Sequence, residues 1–259
     1  MSKINNPKTL ILLIAVVITL SVISHLVEGP AGAAEEPDIV SEIAPHVVFT
    51  LGPLEVTSTV VNTWVMMALL GVGAYLLGHN LKLRPGLLQN LLEWLIEAIE
   101  GLIRQMVGVK DATPFLPIVG TLAIFIGSAN LLGLLPHLKS PTPDINTPLA
   151  MALVVFFSVP YFGIRTRGVV GYLKHYVEPI FLMLPIEIAS EIARTFSLTF
   201  RLFGNIMGEE IIISILFIIM PFFVPVPMML FSIFTGLLQA YIFTLLTCVY
   251  IGGAVQAHA

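Results

Sequence analysis

Residues 179–223 constrain this chain more than any other stretch. They form a nearly continuous apolar run that nevertheless carries Glu187, Glu191, Arg194, Arg201, Glu209 and Glu210. At 1.5 Å per residue, a helix of about 40 residues reaches roughly 60 Å, twice the hydrocarbon thickness of a bilayer. Such a run must tilt steeply or break, and Pro185 and Gly204 mark places where a break is available. Other apolar runs of bilayer length accompany it, and the composition agrees. Of 259 residues, 57% are apolar and 11% charged, with a mean hydropathy of +0.96. A soluble domain usually has about a quarter of its residues charged. The soluble-enzyme class is excluded, and an all-α polytopic membrane protein is expected.

The spans can be ordered from the N-terminus. Lys3 and Lys8 precede an apolar run at 10–23 and small residues at 31–34, so residues 1–34 read equally as a signal peptide or as a retained first span. Either way residues 35–56, rich in Glu and Asp, are carried outward as an extracytoplasmic segment. The run 57–77 is a span that exits at the basic flank Lys82 and Arg84, which places that flank in the cytoplasm. Residues 87–107 differ, because Glu93, Glu97, Glu100 and Arg104 recur at helical spacing and form one charged stripe on an interfacial helix. Spans at 113–135 and 149–164 follow, the second leading to the basic turn Arg165 and Arg167 and to a surface segment at 169–177. Three prolines within 221–227 turn the chain, and 228–255 is the last apolar helix. These assignments give five long membrane-embedded helices in a single membrane domain, 57–255, with a cytoplasmic tail at 256–259.

Polar groups inside apolar helices are costly: an Arg or Asp at mid-bilayer costs about 3 kcal/mol even on a lenient insertion scale. On an unbroken helix Glu187, Glu191, Arg194, Arg201, Asn205 and Glu209 fall within roughly 80° of arc, with Glu210 about 100° further round. Such a stripe must face protein or a water-filled cavity. Arg201 is the leading candidate, since a guanidinium stays protonated, favours ionisation of a nearby carboxylate and repels other cations. Glu210 and Glu187 are candidate proton-exchange stations. Glu191 and Arg194 have the spacing of a structural ion pair, and Asn205 suits either orienting Arg201 or bridging helices. The last helix supplies a shorter polar stripe of Ser232, Thr235 and Gln239. Taken alone, these residues leave two readings open: an ion path, or a static buried ion-pair network.

The remaining features are plainer. Net charge is −4 with no basic block, so no nucleic-acid partner is expected. Cys248 is the single cysteine and reads as a small buried hydrophobe. The six histidines are scattered, no phosphate-binding glycine loop occurs, and no cofactor or metal site is expected. Gly71, Gly73 and Gly78 suit close helix packing, and Trp64 and Trp94 suit core or interface anchoring.

The run Leu198-Thr199-Phe200-Arg201-Leu202-Phe203-Gly204-Asn205 resembles the signature of subunit a of the F-type ATP synthase membrane sector. So do the block at 236–243, the block at 130–136 and the loop Asp144-Ile145-Asn146-Thr147. The resemblance implies a stationary, noncatalytic subunit with two offset aqueous half-channels and two long tilted C-terminal helices against a rotor ring of c subunits. It also implies peripheral-stalk b subunits, the rest of the complex and membrane lipids as partners, in a bacterial inner or plasma membrane. On the matching positions, Arg201 would be the essential arginine, Glu210 and Glu187 the two channel carboxylates, and Asn205 and Gln239 the polar groups around the arginine. Ser232 stands where some members carry a histidine, so a His–Glu relay is not expected, and Glu209 adds a second acid beside Glu210. Two rivals remain from the residues alone: a cation-coupled secondary transporter, which needs an inverted repeat, and a membrane scaffold in which Arg201 is only an interhelical ion pair.

Overall fold

The computed structural model describes residues 47–51, 54–79, 86–133, 140–177, 183–219 and 224–256. The leader at 1–34, the basic flank at 82–84 and the tail at 257–259 lie outside the described residues. An antiparallel two-stranded ribbon, β1 (Val47–Leu51) and β2 (Leu54–Thr57), precedes the helices and adds a feature that the apolar pattern did not signal. Six helices follow among the described residues: α1 (Ser58–His79), α2 (Leu87–Val107), α3 (Leu116–Leu132), α4 (Asn146–Val177), α5 (Met183–Ile219) and α6 (Pro225–Gln256). Four of these, α1, α4, α5 and α6, are long and apolar enough to cross a membrane, and α3 is a shorter apolar helix. The protein is therefore an all-α polytopic membrane protein with a small ribbon, its longest apolar helices including the two at the C-terminus.

Local chemistry explains most helix boundaries. Helix α3 starts later than the apolar run suggests because Asp111 accepts a hydrogen bond from the Thr113 N–H at 3.0 Å, setting a turn first. Asp144 caps α4 by accepting from both the backbone N–H and the side-chain amide of Asn146, at 3.1 and 2.9 Å. That capping draws the start of α4 into the loop. Helix α4 also runs through 169–177, but Gly168 interrupts it with φ 76° and ψ 164°, a conformation that glycine reaches without steric cost. The expected surface segment is thus the continuation of α4 beyond a glycine break. Helix α6 begins at Pro225, earlier than expected, because prolines in a first turn forfeit no intrahelical hydrogen bond. Helix α5 is continuous through both Pro185 and Gly204. Pro185 lies in its first turn, and glycine alone does not force a break.

The chain divides into two compact units. One comprises residues up to 94 together with 129–141 and 209–233. Within it α1 presents most of its surface outward: Thr59 and Met66 are its buried residues, whereas Trp64, Met67 and Tyr75 are exposed.

The other unit comprises residues 95–128, 142–208 and 234–259, and it holds two apolar clusters. The first joins Ile99, Ile103 and Val107 of α2 to Phe115, Val119, Val159, Phe162, Cys248 and Ile251. Burying this stripe leaves Glu97 and Arg104 of α2 exposed and Glu100 half-buried, with Arg104 donating to Glu100 at 3.1 Å. The second cluster joins Leu122 and Ile126 of α3, Met151 and Val155 of α4, Leu198, Leu202 and Ile206 of α5, and Ala240 and Phe243 of α6. Leu198, Leu202 and Ile206 recur every four residues, so α5 commits one face to this core and leaves the other face free.

Candidate functional site

The charged stripe expected from the sequence runs along α5 beside this core face and meets α6. Its register against α6 is set by two contacts. The Asn205 amide donates to Gln239 Oε1 at 2.9 Å, and the Arg194 guanidinium lies over the Tyr250 ring, 5.6 Å from its centroid. Asn205 and Arg194 are eleven residues apart, and so are Gln239 and Tyr250, in the opposite chain direction. Two helices joined in this way run antiparallel in step. Four residues from Asn205 lies Arg201, and four residues from Gln239 lies Phe243. Arg201 is therefore level on α6 with Phe243, which is fully buried and apolar.

This register explains the most informative property of the site. Among the described residues Arg201 makes no hydrogen bond or ion pair, and it is exposed beside exposed Phe196 and Phe200. Its core-facing neighbours Leu198 and Leu202 are 2% and 0% exposed. Helix α5 thus holds the cation on a rigid support and turns it away from its own unit. In a bilayer that position would cost about 3 kcal/mol if lipid covered it, so the arrangement calls for an anion or water from elsewhere.

Two turns earlier Arg194 has the opposite surroundings. Its guanidinium lies 3.7 Å from Glu187 and 3.9 Å from Glu191, both on α5. The structure thus joins Glu187 to the expected Glu191–Arg194 pair and leaves Arg201 outside that network. Gln239 is 1% exposed, and its Nε2 has no hydrogen-bond partner among the described residues. Of the two roles weighed for Asn205, bridging helices is the one observed. Ser232 is buried, and Glu209 and Glu210 are half-buried; all three belong to the other unit.

Tyr250 escaped the sequence reading. The available signal was its position about three helical turns beyond Gln239, which places it on the same face of α6. Among the described residues no group of three His, Cys, Asp or Glu side chains could hold a metal ion. Chemically, the assembled elements offer a fixed cation unpaired among the described residues, a carboxylate pair sharing another cation, and a buried amide bridge between the two helices.

Comparison with known proteins finds chains similar over most of this length. The family model described as ATP synthase A chain matches residues 60–252. The ATP synthase subunit a 2 of Bradyrhizobium sp. is 49% identical over 219 residues, covering 85% of this chain and 98% of that protein. The ATP synthase subunit a of Moorella thermoacetica is 41% identical over 218 residues, covering 84% of this chain and all of that protein. The ATP synthase subunit a 2 of Pelobacter propionicus is 44% identical over 209 residues, covering 81% and 91% respectively.

Proposed function

Since this chain belongs to the ATP synthase A chain family, we propose that it is the stationary proton-channel subunit of an F-type ATP synthase. In this reading it provides two aqueous half-channels to a rotating c-ring and couples proton flow to ATP synthesis or to ATP-driven pumping. Its partners are the c-ring, the peripheral-stalk b subunits and the rest of the complex. It resides in a bacterial inner or plasma membrane with its C-terminus in the cytoplasm.

The unpaired, outward-facing Arg201 carries the proposal. A ring carboxylate passing this position supplies the anion that none of the described residues provides. Near Arg201 that carboxylate is favoured in its ionised form. Away from Arg201 it must be protonated before it can face lipid, because an ionised carboxylate in hydrocarbon is costly and a neutral one is much less so. Glu210 delivers the proton from the outside half-channel and Glu187 returns it toward the cytoplasm. Asn205 and Gln239 fix α5 against α6 around the arginine, while Ser232 and Glu209 support the outer path. Arg201 also blocks direct proton leakage between the half-channels. A membrane potential contributes about 2.3 kcal/mol per elementary charge per 100 mV, so several transfers combine for each ATP.

The test compares ATP-driven pumping, passive proton leak and assembled-complex abundance in inverted vesicles carrying wild-type protein or Arg201→Ala. The expected result is loss of pumping with near-normal assembly and a raised leak. Retained coupled pumping would overturn the assignment.

A further inference from the structure

We propose that Arg165 and Arg167, at the end of the first arm of α4, bind the phosphate of an anionic phospholipid. The site does not depend on the reading of Arg201. The candidate span within α4 runs Asn146–Tyr172, so residues 165–170 lie close to its end, at the level of lipid headgroups rather than in hydrocarbon. Two features fix the turn there. Gly168 breaks the helix with φ 76° and ψ 164°, a conformation that glycine reaches without steric cost. Beyond it Tyr172 is buried in the first apolar cluster against the first arm, where a Cβ on Gly163 would stand 2.5 Å from its Cε2. The turn is thus held by the arm before it and by Tyr172 after it.

The two arginines on this turn lack anions. Arg165 is exposed and donates to the Tyr161 hydroxyl at 3.2 Å, a contact that steadies the guanidinium and leaves its charge unanswered. Arg167 is half-buried, and its Nη2 is covered from solvent with no acceptor among the described residues. Neither arginine forms an ion pair among the described residues. Buried donors are nearly always satisfied, and an orphaned one is costly, more so when it is charged. The acceptor for Arg167 is therefore expected from another molecule. Space for it exists beside the arginine, since a Cβ on Gly168 would have nothing within 4 Å.

The apolar surroundings select among anions. Val169 and Val170 are 56% and 80% exposed, and Tyr161 and Ile164 on the first arm are exposed as well. Cations flanked by exposed apolar side chains match an amphiphile. Its phosphate oxygens accept from the planar guanidinium fork, and its acyl chains cover the valines. Basic side chains next to a span attract anionic lipid in the same way. A free phosphate would answer the charge and leave the apolar residues uncovered. A carboxylate from a partner protein would also answer the charge, but valines at the end of a span have lipid beside them without any partner.

The experiment uses the complete membrane complex, purified in detergent and stripped of lipid. It is titrated with phosphatidylglycerol, phosphatidylcholine or inorganic phosphate, and native mass spectrometry counts what each complex retains. Arg167→Gln is expected to weaken retention of phosphatidylglycerol at one site by about fivefold, with phosphatidylcholine unaffected. Arg167→Lys keeps the charge but loses the fork, and falls between wild type and Arg167→Gln. Arg165→Gln removes an exposed cation, so its loss is smaller and shrinks as salt is raised. Equal retention of phosphatidylglycerol by wild type and Arg167→Gln would overturn the proposal. Inorganic phosphate retained as well as phosphatidylglycerol would make the ligand a free phosphate and overturn the lipid assignment. Loss of a neighbouring subunit from Arg167→Gln, with lipid retention unchanged, would give the arginine to a protein partner and overturn it as well. Should Arg167→Gln fail to assemble, equal retention by wild type and Arg165→Gln at low salt still overturns the site.

Discussion

Two arginines stand two turns apart on α5, and their surroundings differ completely. Arg194 lies between Glu187 and Glu191 with an aromatic ring beneath it, whereas Arg201 faces outward with no ion-pair or hydrogen-bond partner among the described residues. Both sit on the same helical stripe, so amphipathic position alone does not separate them. What separates them is the residue opposite on α6: Tyr250 in one case and buried Phe243 in the other. A cation satisfied within its own chain serves its own chain. One held out on a rigid support and left unsatisfied is complete only with a partner.

The sharpest way to break this comparison is to make the same conservative change at both sites. Lysine keeps the charge but loses the planar fork with its five donors. Arg201→Lys is expected to lower ATP-driven pumping by about tenfold or more, since a loss of only ~1.4 kcal/mol in transition-state stabilisation suffices. Arg194→Lys at pH 7 is expected to cost about twofold, because its partially exposed pairs tolerate a looser cation. Equal losses measured in vesicles with matched complex content would erase the distinction.

Glycines extend the contrast from charge to packing. A Cβ on Gly252 would stand 2.8 Å from the Met106 carbonyl oxygen and 3.2 Å from Val107 Cα, where α6 meets α2. Backbone cannot yield as a side chain can, so Gly252→Ala is expected to destabilise the protein by about 1–3 kcal/mol, read as a lower unfolding temperature in detergent. Gly204, one turn from Arg201, has nothing within 4 Å of the equivalent position. Gly204→Ala is expected to leave the unfolding temperature nearly unchanged while reducing pumping, if the proposed ring passes on its open side. A fall in stability with full pumping would show that this face belongs to the chain's own core.

The difference between the two arginines also marks how far the sequence could be read. The long apolar helices, the amphipathic character of α2 and the charged stripe were legible because apolar length and helical spacing are local properties. The stripe's division into a paired and an unpaired arginine was not, since it depends on the register of α5 against α6. No local pattern encodes that register. Tyr250 was invisible for the same reason: a tyrosine in an apolar helix looks like packing until an arginine lies over it. The ribbon at Val47–Thr57 was missed because its strands are only five and four residues long. The exact starts of α3 and α6 were set by Asp111 and by two prolines, signals weaker than the apolar runs that they shorten and extend.

The amide bridge between the two helices gives a smaller, cleaner measurement. Asn205 donates to Gln239, whose side chain is 1% exposed. Asn205→Leu leaves a buried acceptor without its donor, and a loss of about 1–3 kcal/mol is expected. Gln239→Leu removes the buried acceptor and its orphaned Nε2 together, so its cost is expected to be lower. The double variant should cost less than the two single changes added together, with a coupling of about 1 kcal/mol in a thermal double-mutant cycle. Strict additivity would mean that the bridge does not hold the register from which the position of Arg201 is derived.

A third way to satisfy a charge sets the lower limit of the series. Asp111 has no aromatic platform, and its carboxylate is held below the ordinary value of 3.8 mainly by the Thr113 hydroxyl and then by the Thr113 N–H. An acid with a depressed folded value contributes stability that is present above its unfolded value and lost as the pH falls through the folded one. Asp111→Ala is therefore expected to lower the unfolding temperature slightly at pH 7, with the difference from wild type closing as the pH is taken below 3.8. Hydrogen bonds to neighbouring backbone and hydroxyl groups are screened by salt far less than exposed ion pairs. The pH 7 difference should therefore survive high ionic strength, whereas the much smaller contribution of the distant Arg104 charge should not. A difference that vanished in salt at neutral pH would make Asp111 another ion-paired charge, on the same footing as the carboxylates beside Arg194.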